Sequence, residues 1–522
     1  MLKILKSNLF FFLLLTSIVF SLYYKSVFFD FSYHDDNIII INNLSFLSDI
    51  KNIPKLFQTS AFLFKENTYY RPILNLSFML DSIICKGKPY YYHFINIILF
   101  LFAIFLMYIF LSKLNLNKTI LKFLIILIAV HPIFTSTVVW IPARNDTLLA
   151  IFMFLSLIFF IKYLKNKTII NHFLYVLFFL IALFVKESAM FTPVIYILLI
   201  FCFNYKINSK EVVKNIFIFI PIFVIYFYIR YLFVSSFAIT QYLYNLPIYI
   251  KNIIDGTTLH LSKFFFPDYI PLVLYEVNLG LKEILFDIIF ILFLIFILYK
   301  KLVDTKILIF GLVWFLIFIF PTFLLNEYVF LNHRLIFPIT GIIIILTTFL
   351  DNLIKKYCSI KKYIMPLFLI IFVGFYLISF KHENNYKNKY VYWPKAYLDA
   401  PTYHVTAYYI SRLYFEKGDL KTTKRILYSI LDKNKAYLAD LALIYYYEGN
   451  MEKAEELFKQ SIKLGINKAQ CYRNLSVIYR KKDNINKALE YAKFAVSEDT
   501  YDESYNQYLN KLIQYSNEKN NL

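Results

Sequence analysis

Two adjacent carboxylates and an imidazole, His34, Asp35 and Asp36 in "FSYHDDNIIIINN", stand at the end of an apolar run long enough to lie in a membrane. Charge at membrane depth is expensive, so such groups mark candidate sites by default. An exposed carboxylate is ionised at neutral pH and can take a proton from a hydroxyl. The same pair can instead cap the N-terminus of a short helix. A divalent metal is the other alternative, although neighbouring side chains make poor ligand geometry without a further, distant ligand.

Other polar groups recur in the connections between later apolar runs. "YYRP" supplies Tyr70 and Arg71, and "HPIFTSTVVWIPARND" supplies His131, Trp140, Arg144 and Asp146. "FVKES" contributes Lys186 and Glu187, and "NEYVFLNHRLIFP" contributes Glu327, His333 and Arg334. Each has a structural alternative. Lys186 and Glu187 can cap helix ends, Arg144 and Arg334 can snorkel to headgroups, and His131 can open a loop before its proline. Acids and bases from five separate connections nevertheless fall on one expected side, which separate accidents do not explain.

The elements that must position these residues are membrane helices. The chain of 522 residues is 59% hydrophobic and 17% charged, outside the range of soluble domains. Apolar runs able, or nearly able, to cross about 30 Å of hydrocarbon lie at 8–28, 93–112, 119–131, 146–163, 170–185, 188–205, 215–234, 283–300, 307–325, 335–350 and 363–380. The first is expected to stay as a span, because its core is long and no small-residue cleavage site follows. The expectation is an all-α polytopic protein with about eleven transmembrane helices.

The net charge of +21 does not point to nucleic acid, because many lysines sit in short loops between apolar runs. Lys113, Lys118 and Lys122, then Lys162, Lys165 and Lys167, then Lys355, Lys356, Lys361 and Lys362 alternate with connections nearly free of lysine. The positive-inside rule then makes the N-terminus cytoplasmic and the polar groups exterior. That topology requires 249–267, with Lys251, Asp255, His260 and Lys263, to be re-entrant or interfacial. The expected location is a bacterial inner membrane. Residues 29–92 form a long exterior loop whose "IKNIPKLFQTSAFLFK" reads as an amphipathic helix on the bilayer. Cys85, Cys202, Cys358 and Cys471 are far apart and give no disulfide or metal framework.

From residue 385 to 522 the composition turns polar and helical. Three segments align through Tyr414, Tyr445 and Tyr479, through Gly418, Gly449 and Asp483, and through Thr423, Ala454 and Ala488. The spacing near 34 residues, with a small residue nine places after the tyrosine, is the tetratricopeptide pattern. Such arrays bind extended peptides or partner proteins on a concave surface.

"YHDDNIIIINN", "YYRPILNLSFMLD", "YYHFINIILF", "HPIFTSTVVWIPARNDTLLAIFMFLSLIFF", "FVKESAMFTPVIYILL" and "HRLIFPITGIII" occur in that order. Together with the repeat tail, the set resembles the transmembrane-and-tetratricopeptide O-mannosyltransferases, a family of the C-type (GT-C fold) glycosyltransferases. The resemblance covers about residues 30–345 and implies an inverting transferase for a polyprenyl-phosphate-linked sugar on the periplasmic or lumenal side. It carries the paired acids over to Asp35 and Asp36, of which one would be the base. The tyrosine-arginine-proline motif carries over to Tyr70, Arg71 and Pro72. Arg71, Arg144, Lys186 and Arg334 become the candidates for holding the donor phosphate, with His34, Tyr70, His131, Glu187 and His333 in support. The chain departs from the family at His333, where an acidic residue precedes the arginine, and Glu327 lies six residues upstream.

No cofactor is required on this reading, and no nucleic acid partner is expected. The partners are the lipid-linked sugar, membrane lipids and an acceptor protein or glycan guided by the repeats. Two other classes remain: a non-catalytic assembly or transport protein, whose polar groups would be dispersed, and an envelope polysaccharide polymerase or ligase.

Overall fold

The computed structural model describes residues 8–63, 69–205, 217–234, 246–275, 279–324, 331–499 and 503–520. The fold is all-α, and among the described residues no strand forms. The chain divides into two compact units, residues 1–392 and 393–522.

The first unit holds helices α1 (Asn8–Tyr23), α2 (Pro72–Cys85), α3 (Pro89–Leu111), α4 (Lys118–Ala129), α5 (Arg144–Asn166), α6 (Ile169–Val185) and α7 (Thr192–Cys202). They are followed by α8 (Phe219–Phe233), α9 (Leu246–Phe265), α10 (Leu281–Tyr299), α11 (Thr305–Ile319), α12 (Ile339–Lys356) and α13 (Lys361–His382). Each of the eleven apolar runs contains a helix. By length and composition, five segments are sufficient alone to cross a membrane: Asn8–Phe28, Pro89–Leu111, Ile141–Asn166, Thr305–Phe323 and Cys358–Tyr386. A sixth candidate is a bent pair, Lys118–Ala129 with Pro132–Val139, broken by 52°. This is a membrane protein.

The remaining runs fall short for identifiable reasons. Helices α6, α7 and α8 have at most 17 residues, while α10 and α12 carry three charges each toward one end (Lys282, Glu283 and Asp287; Asp351, Lys355 and Lys356). Helix α9, expected to be re-entrant or interfacial, is not among the spanning candidates.

The expected exterior loop is largely helical. Helix α2 begins at Pro72, whose fixed φ and missing N–H suit a first helical turn. The expected amphipathic helix over 50–65 does not form as one element. Ile50–Asn52 and Ile53–Leu56 are separate short turns, and Ser60 and Leu63 pair in a bridge. Its apolar residues still find a partner, because Leu47, Leu56 and Leu63 pack against Met79 of α2.

Helices α11 and α12 approach backbone to backbone. A Cβ on Gly311 or on Gly341 would collide with the other glycine's carbonyl oxygen. Small residues at a membrane-helix interface permit this contact. Trp314 Nε1 adds a 3.0 Å hydrogen bond to the carbonyl of Phe337, which fixes the segment entering α12.

The second unit contains three helical hairpins: α14 (His404–Glu416) with α15 (Leu420–Ile430), α16 (Leu438–Tyr447) with α17 (Met451–Lys463), and α18 (Lys468–Lys481) with α19 (Ile485–Glu498). A final helix, α20, spans Glu503–Asn520. The aligned positions share geometry. Gly418, Gly449 and Asp483 all take left-handed backbone (φ 80°, 83° and 62°) where the first helix of each hairpin ends. Asp419, Asn450 and Asn484 then cap the second helix through their side chains. Thr423, Ala454 and Ala488 are buried where the paired helices meet.

Candidate functional site

The His34–Asp36 segment forms a tight turn opening the short helix Asp35–Ile39. Asp36 is buried, and its Oδ2 accepts from the Ser32 amide (2.7 Å) and hydroxyl (3.1 Å). This closure holds Tyr33 in left-handed backbone at φ 58°, a conformation costly for a bulky residue. Burial pushes the Asp36 carboxyl up to about 6, against the opposing pull of the Ser32 bonds. Asp35 differs: its side chain is 30% exposed, and its Oδ1 lies 4.0 Å from His34 Nε2. The His34 ring stacks on Trp140, with centroids 5.3 Å apart.

A second group gathers at the ends of α2, α5, α6 and α12. Lys186 has extended backbone (φ −159°, ψ 139°) between α6 and the next turn. Successive side chains on extended backbone point to opposite sides, so Lys186 and Glu187 reach different partners. Lys186 Nζ pairs with Asp146 Oδ1 at 2.6 Å, with both side chains buried. Glu187 Oε2 takes two hydrogen bonds from Arg71 (3.2 and 3.1 Å), and its Oε1 accepts from the Tyr70 amide at 3.1 Å. The Tyr70 hydroxyl donates to the Phe57 carbonyl at 2.7 Å and secures the segment before α2.

Asp146 also faces His333, whose Nε2 lies 3.7 Å from Oδ2. Burial holds the His333 imidazole far down, at about 3, which leaves it neutral at physiological pH. The His333 ring packs edge-on against Trp140 with centroids 5.0 Å apart. Arg334 stands apart from these pairs. Its Nε is buried and lacks a hydrogen-bond partner among the described residues. It lines a small cleft with Asp146, Lys186, Ser188 and Thr322, walled by Leu149, Phe318, Phe337 and two prolines. Three cations (Arg71, Lys186, Arg334) thus accompany two carboxylates (Asp146, Glu187), and the surplus cation opens onto an apolar cleft.

The structure brings together Arg71, Lys186, Glu187, His333 and Arg334, and links His34 to them through Trp140. Two candidates go elsewhere. Arg144 is buried in an ion pair with Asp81 (2.6 Å), with further bonds to Asn96 Oδ1 (2.7 Å) and the Tyr92 carbonyl (3.1 Å). It ties α5 to α2 and α3 with its charge already matched. His131 Nδ1 accepts from the Ile133 amide (3.1 Å), so its Nε2 carries the proton given to the Phe264 carbonyl (2.7 Å). That histidine caps the break in the bent pair and tethers the end of α9. Glu327 lies outside the described residues.

Asp146, Asp81 and Trp140 received no role from sequence. The available signal for both acids was a carboxylate inside or at the start of an apolar helix, a position that demands a cationic partner. Among the described residues, no group of three or more His, Cys, Asp or Glu could hold a metal ion.

Over 159 residues, 30% of this chain, the sequence is 28% identical to mouse (Mus musculus) protein O-mannosyl-transferase TMTC3. The match spans 17% of that relative's length. No family model matches the chain. No solved structure matches it either.

Proposed function

We propose that this membrane protein is an inverting glycosyltransferase that moves a sugar from a polyprenyl-phosphate donor to an acceptor hydroxyl on the periplasmic or lumenal face. The observation that carries this reading is Arg334, a cation with an unpaired Nε in an apolar-walled cleft beside Lys186. A lipid phosphate needs both features: a fork of donors for its oxygens and an apolar path for its chain. The partial similarity to an O-mannosyl-transferase and the ordered motifs support the same reading.

In the proposed reaction, the acceptor oxygen attacks the anomeric carbon and the bond to the phosphate oxygen breaks. The hydroxyl proton passes to Asp35, and polyprenyl phosphate leaves with the bonding electrons. Asp35 is the better base because it is partly exposed, whereas Asp36 is buried and spends one oxygen on Ser32. Arg334 and Lys186 stabilise the departing phosphate, a type of electrostatic contribution that is often the largest in group transfer. Arg71 and Glu187 position the segment before α2, and Arg144 braces the helices beneath.

The helical hairpins are read as tetratricopeptide repeats that guide a protein or glycan acceptor. Convergence of three cations and two carboxylates from four helix ends favours catalysis over a dispersed, non-catalytic role. The test is transfer of labelled sugar from a polyprenyl-phosphate donor by the purified chain in nanodiscs. Asp35→Asn should lower transfer by at least about 10²-fold with melting unchanged. Full activity in that variant would refute the assignment of the base.

A further inference from the structure

The proposed reaction assigns groups to its two ends, phosphate and base, but none to the sugar between them. Arg334 and Lys186 stand at one end and Asp35 at the other. The side chains joining these ends form a continuous row. Asp146 Oδ1 holds Lys186 at 2.6 Å, and Oδ2 faces His333 Nε2 at 3.7 Å. His333 meets Trp140 at 5.0 Å, Trp140 stacks on His34 at 5.3 Å, and His34 reaches Asp35 at 4.0 Å. In an inverting displacement, nucleophile and leaving group sit on opposite faces of the sugar. A donor whose phosphate lies on Arg334 and whose attacker is served by Asp35 has this row beside its sugar.

The row has chemistry suited to that occupant. Trp140 Nε1, Asp146 Oδ2 and Asn332 Oδ1 are buried without hydrogen-bond partners among the described residues. The first can only donate, while the carboxylate and amide oxygens can only accept. Such groups are costly to leave unpaired. A sugar answers both needs, because each hydroxyl donates and accepts. Phosphate offers no donor to Asp146, and an alkyl chain offers nothing to either.

We infer that Asp146, His333 and Trp140 line the sugar subsite of the donor, with the Trp140 indole N–H recognising a sugar hydroxyl. This rests on the glycosyltransferase reading above. Trp140→Phe isolates the point, since an aromatic ring still faces His34 while the N–H is lost.

The test compares two ligands on the full chain in nanodiscs: a polyprenyl-phosphate hexose and the same polyprenyl phosphate without sugar. Relative to wild type, Trp140→Phe should weaken the sugar-bearing lipid about tenfold and leave the sugar-free lipid unchanged. Arg334→Ala should weaken both. The chain has three tryptophans, so the emission change on sugar binding should also disappear in Trp140→Phe. If Trp140→Phe fails to fold, His333→Gln probes the same row and should show the same selectivity. Unchanged affinity of the folded variant for the sugar-bearing lipid overturns the subsite and leaves the transferase reading standing. Failure of wild type to bind either lipid overturns both.

Discussion

At the residue scale, the two aspartates of the opening motif separate into different roles through burial. Asp36 closes the turn through Ser32, and its carboxyl is raised from 3.8 to about 6 by desolvation. For a carboxyl raised on folding, the folded state holds its proton while the unfolded chain releases it. Stability therefore falls as pH rises from about 4 to about 6, and is lower by up to ~3 kcal/mol above that window. Asn at this position keeps an acceptor for Ser32 and cannot ionise. Melting of Asp36→Asn in detergent should lack the fall between pH 4 and 6 and match or exceed wild type at pH 7. A wild-type profile that rises over the same window would contradict the placement of Asp36. His333 belongs to this scale too. The neutral histidine stands beside Arg334, and Asp146 supplies a carboxylate from another helix.

At the element scale, the packing of α11 on α12 sets the position of Arg334. The chain turns from Arg334 into α12 within one segment, and Gly341 then lies against Gly311. Gly341→Ala forces the helices apart, an overpacking that costs about 1–3 kcal/mol. Its melting temperature should drop, and binding of a sugar-free lipid phosphate should weaken because Arg334 moves with the helix. Wild-type melting in Gly341→Ala would show that the close approach is not tight. This contact was illegible in the sequence, because a lone glycine in an apolar run does not name its partner. Most helices were legible, since hydrophobic length is a one-dimensional signal. Helix α2 was not, because its 14 residues are too few to read as a span and it fell within the expected loop 29–92. Arg144 illustrates the same limit: its type and position suggested an anion ligand, but only the fold brings it to Asp81. Lys186 and Glu187 were legible as a charged pair, though not the extended backbone that sends them to separate partners.

At the scale of the whole molecule, every proposed role depends on which side of the membrane the cluster faces. The lysine pattern assigns Lys355, Lys356, Lys361 and Lys362 to the cytoplasmic side, and the turn between them contains Cys358, which is exposed and free. Cys85 and Cys471 are buried, so Cys358 is a native reporter of topology, with the half-exposed Cys202 removed as Cys202→Ser. A membrane-impermeant maleimide should label Cys358 in inverted vesicles and leave it unlabelled in intact cells. Helix α12 separates the Arg334 end from this turn by 18 residues, about 27 Å, so a cytoplasmic Cys358 leaves the cleft roughly one hydrocarbon thickness away, on the exterior side. Labelling from the exterior would instead turn the cleft toward the cytoplasm. The donor would then have to be presented on the cytoplasmic leaflet, and the proposed acceptor would be on the wrong side. The thiol experiment therefore tests the sidedness of the reaction without any substrate, and should precede the transfer assay.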